Sequence, residues 1–248
     1  MVNTLTQFQF EDMFRTQFKV NDVQSSKEWV NGTNQFGLHC DWTRAIRMEL
    51  IEALDSFQWK FWKSVTDNPQ YSVTDIENLK VELVDIWHFM MSQRMTDSGI
   101  KDLDQLDKSS LAAYEFNTLT SVLDGADIDE WTSEGIFKLL ESSVFSDKLI
   151  SSRNLFIAIC YAFSHSPSSK DDPLGSFYRS YITKATLNLF RAEHGYAEGE
   201  YKKQWVFNGQ VNEDNVVAYQ LSLALQKVGK FNSESLYDHL EDVYKKMG

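Results

Sequence analysis

Two cysteines, three prolines and eleven glycines in 248 residues exclude several architectures at once. Cys40 and Cys160 stand apart with no CxxC spacing, so neither a disulfide framework nor a thiolate metal site is expected, and a reducing cytoplasm is the natural setting. So little Pro and Gly argues against the frequent turns of an all-β chain and for long helices. The longest apolar run, Phe156 to Phe163, is far shorter than the ~20 residues that cross a bilayer. The opening MVNTLTQFQFEDMFRTQF has neither a basic stretch nor a continuous apolar one, so no secretory signal is expected and no membrane is a partner. Cations are scarce as well. Against 36 Asp and Glu there are 24 Lys and Arg, a net charge of −12, which excludes broad contact with a nucleic-acid backbone and confines phosphate binding to a local cluster.

What is present describes a packed protein: 42% hydrophobic and 14% aromatic residues, enough for a sizeable core in one domain. Helical periodicity runs through about residues 7–24, 42–65, 75–96, 108–123, 131–145, 149–164, 176–194, 214–229 and 233–246, with no convincing strand alternation. The expected fold is an all-α multi-helix bundle. The stretch from about Asp97 to Phe145 is acidic and poor in aromatics and reads as an inserted, mobile helical subregion. Extended by motif-free residues to about 173, it leaves a core of about 1–96 and 174–248 within a single domain.

Chemistry is suggested by acids in apolar company. Glu49 and Glu52 lie in MELIEALDSFQWKFW, and Glu82 and Asp85 in ENLKVELVDIWHFMM. Acidic pairs at this spacing are common on wet helix faces, but here the neighbours are Leu50, Ile51, Leu54, Leu83, Val84, Ile86 and Trp87. Residues three apart share a helix face, about 5–6 Å between Cβ atoms, so two such helices would focus four carboxylates on one point. Oxygen donors suit a hard divalent cation. On a wheel, Glu49, Glu52, Ser56, Lys60 and Lys63 form one polar stripe with acids first and lysines after, an order that suits a metal-bound polyphosphate. Trp59 borders that stripe and is expected to line a pocket, whereas Trp62 is expected in the core. His88, among aromatics, reads as a hydrogen-bonded core histidine.

A second polar face lies in KATLNLFRAEHGYAEGEYKKQW. Lys184, Asn188 and Arg191 recur at one helix face, Gly195 is placed to end the helix, and Tyr196, Lys202 and Lys203 follow on a loop. A further loop carries Asn208, Gly209, Asp214 and Asn215. Cations at a helix end and on loops are what a chain of phosphates requires.

Taken together, TRAIRMELIEALDSFQWKFWK, VELVDIWHF, KATLNLFRAEHGYAEGEYKKQW and the EDN at Glu213 to Asn215 resemble the dimeric all-α dUTPases, relatives of the MazG-like nucleoside triphosphate pyrophosphatases. The resemblance implies that Glu49, Glu52, Glu82 and Asp85 hold two or more Mg²⁺ ions, with Mn²⁺ able to substitute. It implies water attack on the β-phosphate of dUTP to give dUMP and pyrophosphate, and phosphate release from dUDP, with Glu49 or Glu52 orienting or deprotonating the water. Lys184, Asn188, Arg191, Lys202 and Lys203 match positions that hold the triphosphate. Gln17, Asn21 and Trp59 match the neighbourhood of base and sugar. Lys60, Lys63, Tyr196 and Asn215 join the substrate-binding set, as does His194, which stands where the family often has Asn. A homodimer is implied too. The alternatives are a pyrophosphatase for another nucleotide such as dCTP, and a nucleotide or metal sensor without turnover.

Overall fold

The computed structural model describes residues 5–62, 69–125 and 130–246. Its centre is a bundle of α1 (Gln7–Gln24), α3 (Ile76–Asp97), α7 (Ser152–His165) and α8 (Pro173–Glu193). Trp87 of α3 is fully buried, with the rings of Phe10 and Phe14 edge-on at 6.0 Å and Phe156 at 5.2 Å. Burying each such side chain contributes about 1.5–3 kcal/mol. Around this centre, α2 (Trp42–Leu54) packs on α3 and on α6 (Ser133–Phe145). The other helices are α4 (Leu103–Lys108), α5 (Leu111–Gly125), α9 (Asp214–Lys227) and α10 (Ser233–Lys245). The all-α class is as expected.

Helix starts follow from local chemistry. Thr6 forms a capping box with Gln9 ahead of α1, and Asp41, Asp75 and Asp172 accept from the backbone N–H groups of Arg44, Asn78 and Gly175. Such a cap is worth about 1 kcal/mol. Within the 97–173 stretch, α7 carries fully buried Leu155, Phe156, Ile159 and Phe163 and packs on α3 and α8, so its end shares the central core.

Three departures from the expected elements have physical causes. First, α2 stops at Leu54 and does not run to residue 65. Asp55 and Ser56 compete with the helix for backbone hydrogen bonds, and the chain then pairs with the approach to α3: Phe57 bridges Val73, Gln58 N–H donates to Ser72 O, and Ser56 O accepts from Thr74 N. The polar stripe therefore does not continue as helix. Second, Trp62 is not in the core but exposed, edge-on to Trp59 and Phe61. Third, a β-hairpin forms where only a loop was expected: β1 (Gln204–Phe207) pairs antiparallel with β2 (Gln210–Glu213). Its turn is Asn208-Gly209, both at positive φ, 52° and 76°, the strongest short-range hairpin signal in a sequence. The helix expected over 108–123 is α5, which begins at Leu111, and the short α4 precedes it in a stretch where no helix was expected.

Candidate active site

The α2–α3 packing brings the acids together. Glu49, Glu82 and Asp85 each offer a carboxylate oxygen, and these lie within 4.8 Å of one another. Glu52, one turn along α2, is exposed and outside this trio, yet its charge raises the pKa of both Glu49 and Glu82. Burial, then Asp85, Glu52 and Glu82, push the Glu49 carboxyl up to about 7, and Glu82 is raised by burial, Asp85 and Glu52. Lys184 Nζ, 2.6 Å from Asp85 Oδ2, is the cation paired with this group among the described residues. One lysine against four acids leaves an excess of negative charge that a divalent cation would relieve. Oxygen-only donors carrying that excess suit a hard cation. A scaffold of salt bridges would pair Glu49 and Glu82 with bases, and none is so placed among the described residues.

These shifts have a consequence for stability. A carboxyl raised on folding stabilises the protein in its protonated form, fully below its ordinary pKa of 4.5, and the contribution is lost as pH rises through about 7. Glu82 and Glu115 act with the same sign. Asp214, Glu77 and Glu241 act oppositely but only on acidification through the ordinary carboxylate range. His88, its pKa pushed down to about 3 by burial, opposes Glu49 and Glu82 as pH falls through its ordinary 6.5. The metal-free protein is therefore expected to melt higher at about pH 5.5 than at about pH 8 by what Glu49 and Glu82 together contribute beyond His88. Glu49→Gln should reduce that difference, and an equal difference in the variant by calorimetry would refute the assignment.

Next to the acids runs a cleft of about 560 Å³ between α3, α8 and α9, lined by Lys184, Asn188, Arg191 and Asn215. Those four expected residues are thus brought together. Gly195, at φ 77°, ends α8 and turns the chain into the following loop, and a Cβ there would sit 3.0 Å from Glu200 Cβ. On that loop Tyr196 packs against Lys203 Nζ at 5.1 Å and the Arg191 guanidinium at 6.0 Å, while Lys202 and Lys203 are exposed. Neither this cleft nor a larger one of about 900 Å³, between α1, α5, α8 and α10, is lined by the four acids themselves, but Lys184, which pairs with Asp85, lines the smaller one and not the larger. Chemistry and not volume selects the smaller one.

The remaining residues are placed differently. Trp59 Nε1 and Lys60 Nζ both donate to Asp55 Oδ1, at 3.1 and 2.8 Å, and Lys60 lies over the Trp59 ring. Lys63 lies outside the described residues. Gln17 and Asn21 are buried: Gln17 Nε2 donates to Asn21 Oδ1 at 2.8 Å, and Asn21 Nδ2 donates to Ser92 Oγ at 3.0 Å. Gln17 Oε1 lies 2.6 Å from His88 Nδ1 and accepts from the Tyr181 hydroxyl at 3.0 Å. Meeting a nucleobase from there requires these amides to exchange partners. His88 is a buried, hydrogen-bonded histidine, its pKa pushed down to about 3 by burial and by Lys184. His194 is turned away from the cleft, stacked on Phe190 and paired with Glu241 at 3.0 Å.

From sequence, Asp214 and Tyr201 are placed on loops but given no role in the site. Asp214 was visible as the middle of the EDN triplet, but only the fold shows what its carboxylate holds: Arg191, through two hydrogen bonds.

A family model described as dUTPase matches residues 9–196. No curated protein matches the chain.

Proposed function

Because the chain belongs to the dUTPase family, we propose that it hydrolyses dUTP to dUMP and pyrophosphate, and dUDP to dUMP and phosphate, in a magnesium-dependent reaction. The observation that carries this reading is the convergence of Glu49, Glu82 and Asp85 beside a cleft that holds Lys184, Asn188, Arg191 and Asn215. Magnesium ions held by Glu49, Glu82 and Asp85, with Glu52 at the open side, would polarise the phosphoryl oxygens and acidify a water. Lys184, Asn188 and Arg191 bind and align the phosphate chain along α8, and Lys202 and Lys203 close on it from the loop. Glu49 receives the proton of the attacking water, so no covalent nucleophile is needed. Trp59, Lys60, Gln17 and Asn21 form the side toward the base and sugar.

Incubating the protein with dUTP and Mg²⁺ and scoring dUMP and pyrophosphate tests this reading. Absence of pyrophosphate would overturn it. A nucleotide as small-molecule substrate, a cytoplasmic setting and Mn²⁺ as a substitute ion belong to the same proposal. Among the described residues, no helix is long and apolar enough to cross a membrane.

The proposed assembly is a homodimer. On the outer face of α2, Met48 and Ile51 are 49% and 45% exposed, apolar surface that a two-fold helix contact would cover. Light scattering at micromolar concentration should return twice the chain mass of 28.8 kDa, and the single-chain mass would refute a dimer.

A further inference from the structure

Asp214, the first residue of α9, is 1% exposed although it carries a carboxylate. Four hydrogen bonds converge on it. Arg191 Nε donates to Oδ2 at 2.8 Å and Nη2 to Oδ1 at 2.7 Å, the Tyr201 hydroxyl donates to Oδ2 at 2.8 Å, and Asn215 N–H donates to Oδ1 at 2.8 Å. Its own N–H donates to Lys203 O at 2.8 Å. Burial alone would lift the Asp214 carboxyl, and the hydrogen bonds from Arg191 and Tyr201 more than offset it, leaving it below its ordinary value.

The pairing uses one edge of the Arg191 guanidinium, Nε and Nη2. The Tyr201 hydroxyl also engages the guanidinium, and Arg191 lines the cleft. A buried ion pair adds little net stability over an apolar pair of the same shape. What it supplies here is orientation: a side chain with several rotatable bonds is held in one rotamer before any anion arrives, so binding need not freeze it. The same carboxylate also ties the end of α8 to Tyr201 and Lys203 on the loop and to Asn215 on α9.

We propose that Asp214 is a positioning residue for the phosphate chain, holding the Arg191 guanidinium in place at the wall of the cleft. This rests on the polyphosphate reading of the cleft. A purely structural role would have Asp214 serve α9 alone, independently of Arg191.

The test is a double-mutant cycle read by steady-state kinetics with dUTP and Mg²⁺. Asp214→Asn should lower kcat/KM about a hundredfold, the scale of a misplaced binding group, chiefly through KM. In an Arg191→Ala background the same change should matter by no more than about twofold, because its effect passes through Arg191. The metal-induced melting shift without nucleotide should stay as in the unaltered protein, since the acids are untouched. Effects that multiply in the cycle would overturn the proposal. Should Asp214→Asn fail to fold, Tyr201→Phe keeps the ring contacts and removes one donor to the carboxylate. It should cost roughly tenfold, as expected for a hydrogen bond to a charged group, and no loss would refute the role. Calorimetric binding of inorganic tripolyphosphate with Mg²⁺ separates the two readings. Binding weakened by Asp214→Asn in a protein inert toward dUTP upholds positioning while the activity falls. Full dUTP turnover by Asp214→Asn overturns positioning while the activity stands.

Discussion

Glu49→Gln is expected to lower dUTP turnover by about 10²–10⁴-fold, the span of a general-base contribution, while making the metal-free protein melt higher. Both effects have one origin. Burial and the charges of Asp85, Glu52 and Glu82 oppose ionisation of Glu49, so the ionised side chain weighs against the folded state near neutral pH and a neutral amide of the same shape does not. The same substitution removes a metal ligand. In the unaltered protein, Mg²⁺ at a hundredfold excess over its Kd should stabilise by about 2.7 kcal/mol, and most of that response should vanish in the variant. Calorimetric melting with and without Mg²⁺, beside a turnover assay, checks all three outcomes. A metal-free variant that melts lower, with the Mg²⁺ response intact, would mean that the acids are scaffold.

The second large effect concerns the base. dUTP should be hydrolysed faster than dCTP by on the order of 10² or more, because a pocket that hydrogen-bonds one pyrimidine edge leaves its polar groups unpaired against another. Discrimination against dTTP rests on a single methyl and is expected at the lower end, roughly 10–200-fold. The groups available for such readout, Gln17 and Asn21, are amides with both donors and acceptors, already drawn into one network with His88 and Ser92. Parallel kcat/KM measurements on the three nucleotides check this. Equal values for dUTP and dCTP would remove the uracil assignment and leave the phosphate chemistry standing.

How far the sequence alone carried these conclusions depends on the range of the forces involved. Glu49, Glu82 and Asp85 were legible because each lies in a strongly periodic helix, where spacing dictates the face. Lys184, Asn188 and Arg191 were legible for the same reason along α8. Beyond Leu54 the periodicity continues, but tertiary pairing of residues 56–58 with 72–75 wins over helix propensity, so the extent of α2 and the burial of Trp62 were misjudged. The hairpin was available locally in Asn208-Gly209 but is too short to register as strand alternation. Asp214 could not be assigned from pattern at all. Its partner Arg191 is 23 residues away, and only the packed junction of α8, the loop and α9 pairs them.

The two halves of this site close over different lengths of chain. Glu49 and Asp85 are 36 positions apart by their numbering, whereas the contact from Asp85 to Lys184 spans 99. By the logarithmic growth of closure entropy, the longer loop costs about 0.9 kcal/mol more. It also cannot form until most of the polypeptide exists. During synthesis the acids can meet on a first hairpin of helices well before the lysine that partly neutralises them has been made. In the proposed reading, the side of the site that would hold cations is thus assembled first, and the side that would hold phosphate last.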